Sequence, residues 1–111
     1  MSARLASGLV VSAMVRMVSG AGGFATVLAK GDADSGAILV VTAERGKPQA
    51  VYERLLSHAG GYAWVKSELD EADSAEALTV LVQRRRARDP DLWVIELDIP
   101  DAERFIVEQG V

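Results

Sequence analysis

The segment of residues 24–41 constrains the fold most, because two apolar runs in it flank a stretch of turn-forming residues. The runs are FATVLA at 24–29 and AILVV at 37–41, and the stretch GDADSG lies between them at 31–36. Glycine admits positive φ angles and aspartate binds nearby backbone N–H groups, so such a stretch lets a chain reverse its direction. The segment predicts two antiparallel strands joined by a mid-length loop, a β-hairpin.

Length and composition predict one folded domain over residues 1–111. Half of the residues are apolar and a quarter are charged, which is typical of globular proteins. The chain has no cysteine, which excludes disulfides and thiolate zinc sites and favours a cytoplasmic protein. An apolar run at 5–15 has the length of a signal-peptide core, but Arg16 ends it and no run reaches the ~20 apolar residues that span a membrane. We therefore expect no membrane association.

Residues 4–19 show the spacing of a helix, with polar or small residues every three or four positions. The apolar face of this helix is wide, so we expect both a sheet and a second subunit to cover it. Four apolar residues are the candidates for an interface, which would make the protein a homodimer: Leu5, Leu9, Met14 and Met17.

Further strands are predicted at 50–56, 62–66 and 92–99, a second helix at 74–88, and a short helix after Pro100. The predicted fold class is α+β, with an antiparallel sheet of four or five strands formed by a meander and the C-terminal strand. The order is α-β-β-β-β-α-β followed by the short helix. We expect the N-terminal and second helices to cover one face of the sheet.

Four short sequences resemble a known family: RLAS at 4–7, GFA at 23–25, GAILV at 36–40 and above all DPDLWVIE at 89–96. Together they are similar to the small bacterial proteins grouped as domain of unknown function 1491. The resemblance covers nearly the whole chain and implies a compact α+β domain in the bacterial cytoplasm. It implies no catalytic or binding residue.

Carboxylates around the last strand are the candidates for a small-ligand or metal-dependent hydrolytic site. The acidic members are Asp89, Asp91, Glu96 and Asp98, and the arginines at 84–88, which include Arg85 and Arg86, would supply positive charge. A nuclease motif of the Glu-x-Lys type fails here because Asp98 stands at the lysine position. Cations at a helix C-terminus also complement the helix dipole, which is the simpler explanation for the arginines.

The remaining patterns do not indicate catalysis. DADSG at 32–36 begins like a calcium loop, but position twelve is Ala43 where a bidentate glutamate is required, so a loop capped by its own aspartates is favoured. His58 is the single histidine, which leaves no triad. The net charge of −4 disfavours nucleic acid as a partner. We therefore expect a non-enzymatic interaction module without metal or cofactor, whose partner is another protein or a second copy.

Overall fold

A computed structural model of the chain describes residues 6–56, 62–68 and 74–107. The chain has an α+β fold with five strands, and its element order confirms the predicted one. The elements are α1 (Ser7–Gly20), β1 (Phe24–Ala29), β2 (Ile38–Glu44), β3 (Lys47–Leu56), β4 (Tyr62–Glu68), α2 (Ser74–Arg88), β5 (Trp93–Asp98) and α3 (Glu103–Val107).

The five strands form one mixed sheet in the order β1-β5-β2-β3-β4. The predicted hairpin of β1 and β2 is wrong, because β5 lies between these two strands. It pairs antiparallel with β1, where Phe24 faces Asp98, and parallel with β2, where Ile38 faces Trp93. The predicted meander of four strands is confirmed for β2, β3 and β4, which pair antiparallel in sequence order, but not for β1. A strand as apolar as β5 is stable in the middle of the sheet, where helices cover both of its faces.

The helices lie on both faces of the sheet, so the expectation that α1 and α2 share a face is wrong. The side chains of Ile95 and Leu97 point to the face covered by α1 and α3, and that of Val94 points to the face covered by α2. Alternation along each strand divides the core in this way. The first core also contains Val10, Met14, Val18, Phe105 and Ile106, and the second also contains Leu39, Val51, Leu78 and Leu92.

The connection between β1 and β2 crosses the start of β5 at very short range. A Cβ atom on Gly31 would lie 2.1 Å from the carbonyl oxygen of Asp91, and one on Gly36 would lie 2.2 Å from the same atom. The backbone N–H of Asp32 donates a hydrogen bond of 3.0 Å to this oxygen. Only glycine leaves room for the crossing at these two positions.

Within the described residues, no helix is both long enough and apolar enough to span a membrane.

Candidate functional site

The predicted carboxylates lie apart along β5. Asp91 precedes the strand and Asp98 ends it, seven residues further on, which corresponds to about 20 Å of extended chain. The Asp98 carboxylate accepts hydrogen bonds from the backbone N–H groups of Arg45 (2.9 Å) and Gly46 (2.7 Å). These two residues have φ angles of 53° and 79° and form the tight turn between β2 and β3. Asp98 thus stabilises a turn, and Glu96 is half-buried between the two ends.

The two predicted arginines hold elements of the fold together. Arg85 of α2 binds Glu53 of β3 through both guanidinium nitrogens, each 2.5 Å from a carboxylate oxygen. The hydrogen bonds to Glu53 raise the pKa of Arg85 above its ordinary value. Arg86 donates from Nη1 to the carbonyl oxygens of Lys30, Pro90 and Leu92, which joins the end of α2 to the starts of β5 and the β1–β2 connection. Among the described residues, neither side chain donates a hydrogen bond to the carboxylate of Asp91, Glu96 or Asp98.

The acidic stretch at 32–36 caps its own loop, as its residues predict. A carboxylate oxygen of Asp32 accepts hydrogen bonds from the backbone N–H groups of Asp34 (3.1 Å) and Ser35 (2.9 Å) and from the Ser35 hydroxyl (3.1 Å). The Ser35 backbone N–H is the main cause of the lowered pKa of Asp32. In the part of the chain that the structure describes, no three His, Cys, Asp or Glu side chains are grouped closely enough to hold a metal ion.

A polar cleft of about 240 Å³ lies where α3 meets the sheet. Three of its side chains bind one another: the Tyr52 hydroxyl donates to Glu103, and Lys66 donates to the same carboxylate over 3.3 Å. Burial and the bond to Glu103 raise the pKa of Tyr52 to about 12. The bonds from Tyr52 and Lys66 lower the pKa of Glu103. These groups satisfy each other and anchor α3 to β3 and β4.

The predicted interface residues of α1 differ in their accessibility. Leu9 is 61% exposed, whereas Met17 is partly buried against the first core. Met14 is fully buried on the side of α1 that packs on the first core, which excludes it from any contact with a partner in this conformation. Leu5 lies outside the described residues.

Strand β1 is the most exposed apolar element that adjoins Leu9. It forms one edge of the sheet, and its sequence FATVLA contains no charge and no proline. Phe24 is 76%, Val27 44% and Leu28 49% exposed. An open groove lies between Val27 and α1, and Leu9 contributes to its lining. We call the residues Leu9, Phe24, Val27 and Leu28 the β1 edge surface.

Neither the polar cleft nor the β1 edge surface was predicted from the sequence. Tyr52 and Glu103 are 51 positions apart, and only the packing of α3 on β3 brings them together. A sequence signal for the edge did exist, since an uncharged six-residue strand is unusual at an exposed edge. The prediction did not say which strands the C-terminal strand pairs with, so it did not identify the strands at the edges of the sheet.

Comparison with known proteins identifies the family. The family described as "Protein of unknown function (DUF1491)" matches residues 5–107. The crystal structure of a DUF1491 family protein from Caulobacter crescentus is 29% identical, with 91% of this chain and 94% of that chain covered and a TM-score of 0.77. The solution structure of protein Atu0922 from A. tumefaciens is 30% identical, with 89% of each chain covered and a TM-score of 0.75.

The comparison with curated proteins finds no match. The family match covers all of the described residues, and two solved structures share the fold over about nine-tenths of the chain. The resemblance inferred from the DPDLWVIE string at 89–96 is thereby confirmed, and the chain belongs to the DUF1491 family of proteins of unknown function.

Proposed function

We propose that the protein is a non-enzymatic, single-domain interaction module that associates with a second copy of itself through the β1 edge surface. One observation carries the proposal: an uncharged apolar strand lies open at the edge of the sheet, beside the exposed Leu9 of α1. Edge strands of monomeric proteins are commonly protected by charges or prolines, and β1 has neither. A partner that covers this surface removes apolar area from water, which is favourable.

The other edge of the sheet provides an internal comparison. Strand β4 also exposes a valine, Val65 at 48%, but its sequence carries the charges of Lys66 and Glu68. Charges of this kind prevent the pairing of edge strands between molecules. The contrast between the two edges favours β1 as the contact surface.

The alternative function, a small-ligand or hydrolytic site, has little support from the geometry. Asp91 and Asp98 lie at opposite ends of β5, and Asp98 is engaged in a turn. Arg85 and Arg86 are bound to Glu53 and to backbone carbonyls. A hydrolytic site requires these groups to converge on one reacting atom. We place the module in the bacterial cytoplasm, in keeping with the absence of cysteine.

The experiment is a measurement of solution mass by light scattering, at protein concentrations from about 1 to about 300 μM. The surface is small, so we expect a dimer with a dissociation constant on the order of micromolar. The variant Val27→Lys places a charge in the edge surface and is expected to weaken association at least tenfold, by roughly 1.4 kcal/mol or more.

Val65→Lys is the matched control, because it makes the same change at a valine of similar exposure on the other edge strand. At about 300 mM NaCl, where the effect of net charge is screened, we expect this variant to associate like the natural protein. A strictly monomeric natural protein at the highest concentration would refute self-association. Equal weakening by both lysine variants would show that the effect is one of charge and not of the β1 edge surface.

A further inference from the structure

We propose that two copies associate by antiparallel pairing of their β1 strands about a two-fold axis at Thr26, which creates one continuous sheet of ten strands. The inference rests on the proposed self-association and specifies how the copies meet. The competing arrangement packs α1 against α1 on one face of the sheet, with Leu9 at the contact and no pairing of strands; Phe24 lies on the opposite face and stays exposed.

The open edge of β1 favours strand pairing. One side of β1 is bonded to β5, and the outer side has no partner strand among the described residues. An edge of this kind presents unpaired backbone N–H and C=O groups, which a second strand satisfies. Phe24 and Thr26 on one face and Val27 on the other are all exposed, so the described elements leave this part of the strand accessible. Side-chain packing by α1 alone would leave these backbone groups without a protein partner.

Symmetry restricts the register of the pair. Residues that face each other in an antiparallel pair share a face of the sheet, and the two-fold axis of such a pair is perpendicular to the sheet and preserves its faces. The numbers of two residues that face each other are therefore both even or both odd. The axis thus passes between the two copies of one residue, which face each other, and not between two different positions of the strand.

An axis at Thr26 brings side chains together in favourable cross-strand pairs. Thr26 then faces Thr26 of the second copy, Phe24 faces Leu28, and Ala25 faces Val27. Threonine pairs and aromatic–aliphatic pairs are both favourable across strands. With an axis at Thr26 the pairing ends at Leu28. An axis at Val27 would instead make Phe24 face Lys30, which lies outside β1, and would extend the pairing to Ala29, past the point where β1 loses its regular register with β5.

Pairing of β1 with β4 of another copy is a poorer arrangement. It would bring an uncharged strand against one that carries Lys66 and Glu68. It is also a head-to-tail contact, in which a pair of copies retains one free β1 edge and one free β4 edge and can add further copies. The contact of β1 with β1 is self-complementary and closes at two copies.

Disulfide cross-linking tests the register directly, because the chain has no cysteine and any disulfide must come from the introduced residue. The variants are Thr26→Cys, Val27→Cys and Val65→Cys, oxidised at a concentration where the natural protein is dimeric. With the axis at Thr26, the two Cα atoms at position 26 are about 4.5 to 5.5 Å apart, within the range of a disulfide. The two Cα atoms at position 27 are diagonal neighbours at about 7 to 8 Å, beyond that range.

We expect Thr26→Cys to form the covalent dimer at least about tenfold faster than Val27→Cys or Val65→Cys. Faster cross-linking of Val27→Cys, or equal slow cross-linking of all three variants of a protein that is dimeric by mass, would overturn the register while leaving self-association intact. A monomeric natural protein would instead refute the proposed function itself. Faster cross-linking through position 65 would assign the contact to β4.

Discussion

Tyr52 joins the sheet to α3 through its hydroxyl, which donates a hydrogen bond to Glu103. Burial is the main cause that raises its pKa from 10.0 to about 12, and the bond to Glu103 adds to it. The folded protein therefore holds the phenol proton more tightly than the unfolded chain does. The resulting stability is fully present below pH 10 and is lost as the pH rises through about 12.

A titration of tyrosinate absorbance tests this assignment. The chain has two tyrosines, so the substitution Tyr62→Phe leaves Tyr52 as the only one that titrates. We expect ionisation near pH 12. In the same background, Glu103→Ala removes the acceptor and should lower the pKa, although it stays above 10 because burial is the larger cause. Ionisation of Tyr52 near pH 10 before Glu103 is replaced would contradict the prediction.

Residue types alone could not identify which polar side chains form a site. Asp98 and Arg86 were candidates because of their charge, yet the structure shows both bound to backbone groups of other elements. Their partners, Gly46 and Lys30, lie 52 and 56 positions away. A capping interaction within one loop, such as that of Asp32 with Ser35, was predictable because both partners are close in sequence.

At the scale of elements, the crossing of the β1–β2 connection over β5 depends on the absence of a side chain at Gly36. We expect Gly36→Ala to destabilise the fold by about 1 to 3 kcal/mol, because its Cβ would collide with the Asp91 carbonyl oxygen. Gly20→Ala is the control, since no atom lies within 4 Å of its Cβ and alanine favours a helix. Urea unfolding should show a lower midpoint for the first variant and an equal or higher midpoint for the second. Equal midpoints for Gly36→Ala and the natural protein would contradict the crossing.

The same crossing explains why the elements were predictable and one pairing was not. Periodicity and turn residues depend on neighbours in sequence, and they located the helices and strands correctly. Strands β1 and β2 do not pair, because β5 lies between them and begins more than 50 positions after the start of β2. The same topology determines which face of the sheet each helix covers, because α2 precedes a strand that returns to the middle of the sheet. Local patterns contain no information about such an insertion.

At the scale of the whole molecule, charge and apolar surface have opposite effects on association. Each copy has a net charge of −4, so two copies repel each other at long range. The residues of β1 are uncharged, so no ion pair at the strand itself offsets this repulsion. Apolar burial and backbone hydrogen bonds must therefore provide the attraction in the proposed dimer.

This balance predicts that salt strengthens the dimer. Raising the NaCl concentration from about 20 to about 300 mM shortens the screening length from roughly 20 Å to below 10 Å, which weakens the repulsion between copies. We expect the dissociation constant from sedimentation equilibrium to fall by about two- to tenfold over this range. Val65→Lys lowers the negative charge of each copy without changing β1 and should bind more tightly at low salt, with a smaller dependence on salt. A dissociation constant that rises with salt would show that ion pairs hold the dimer together, and the contact would then lie on a charged surface of the molecule instead of β1.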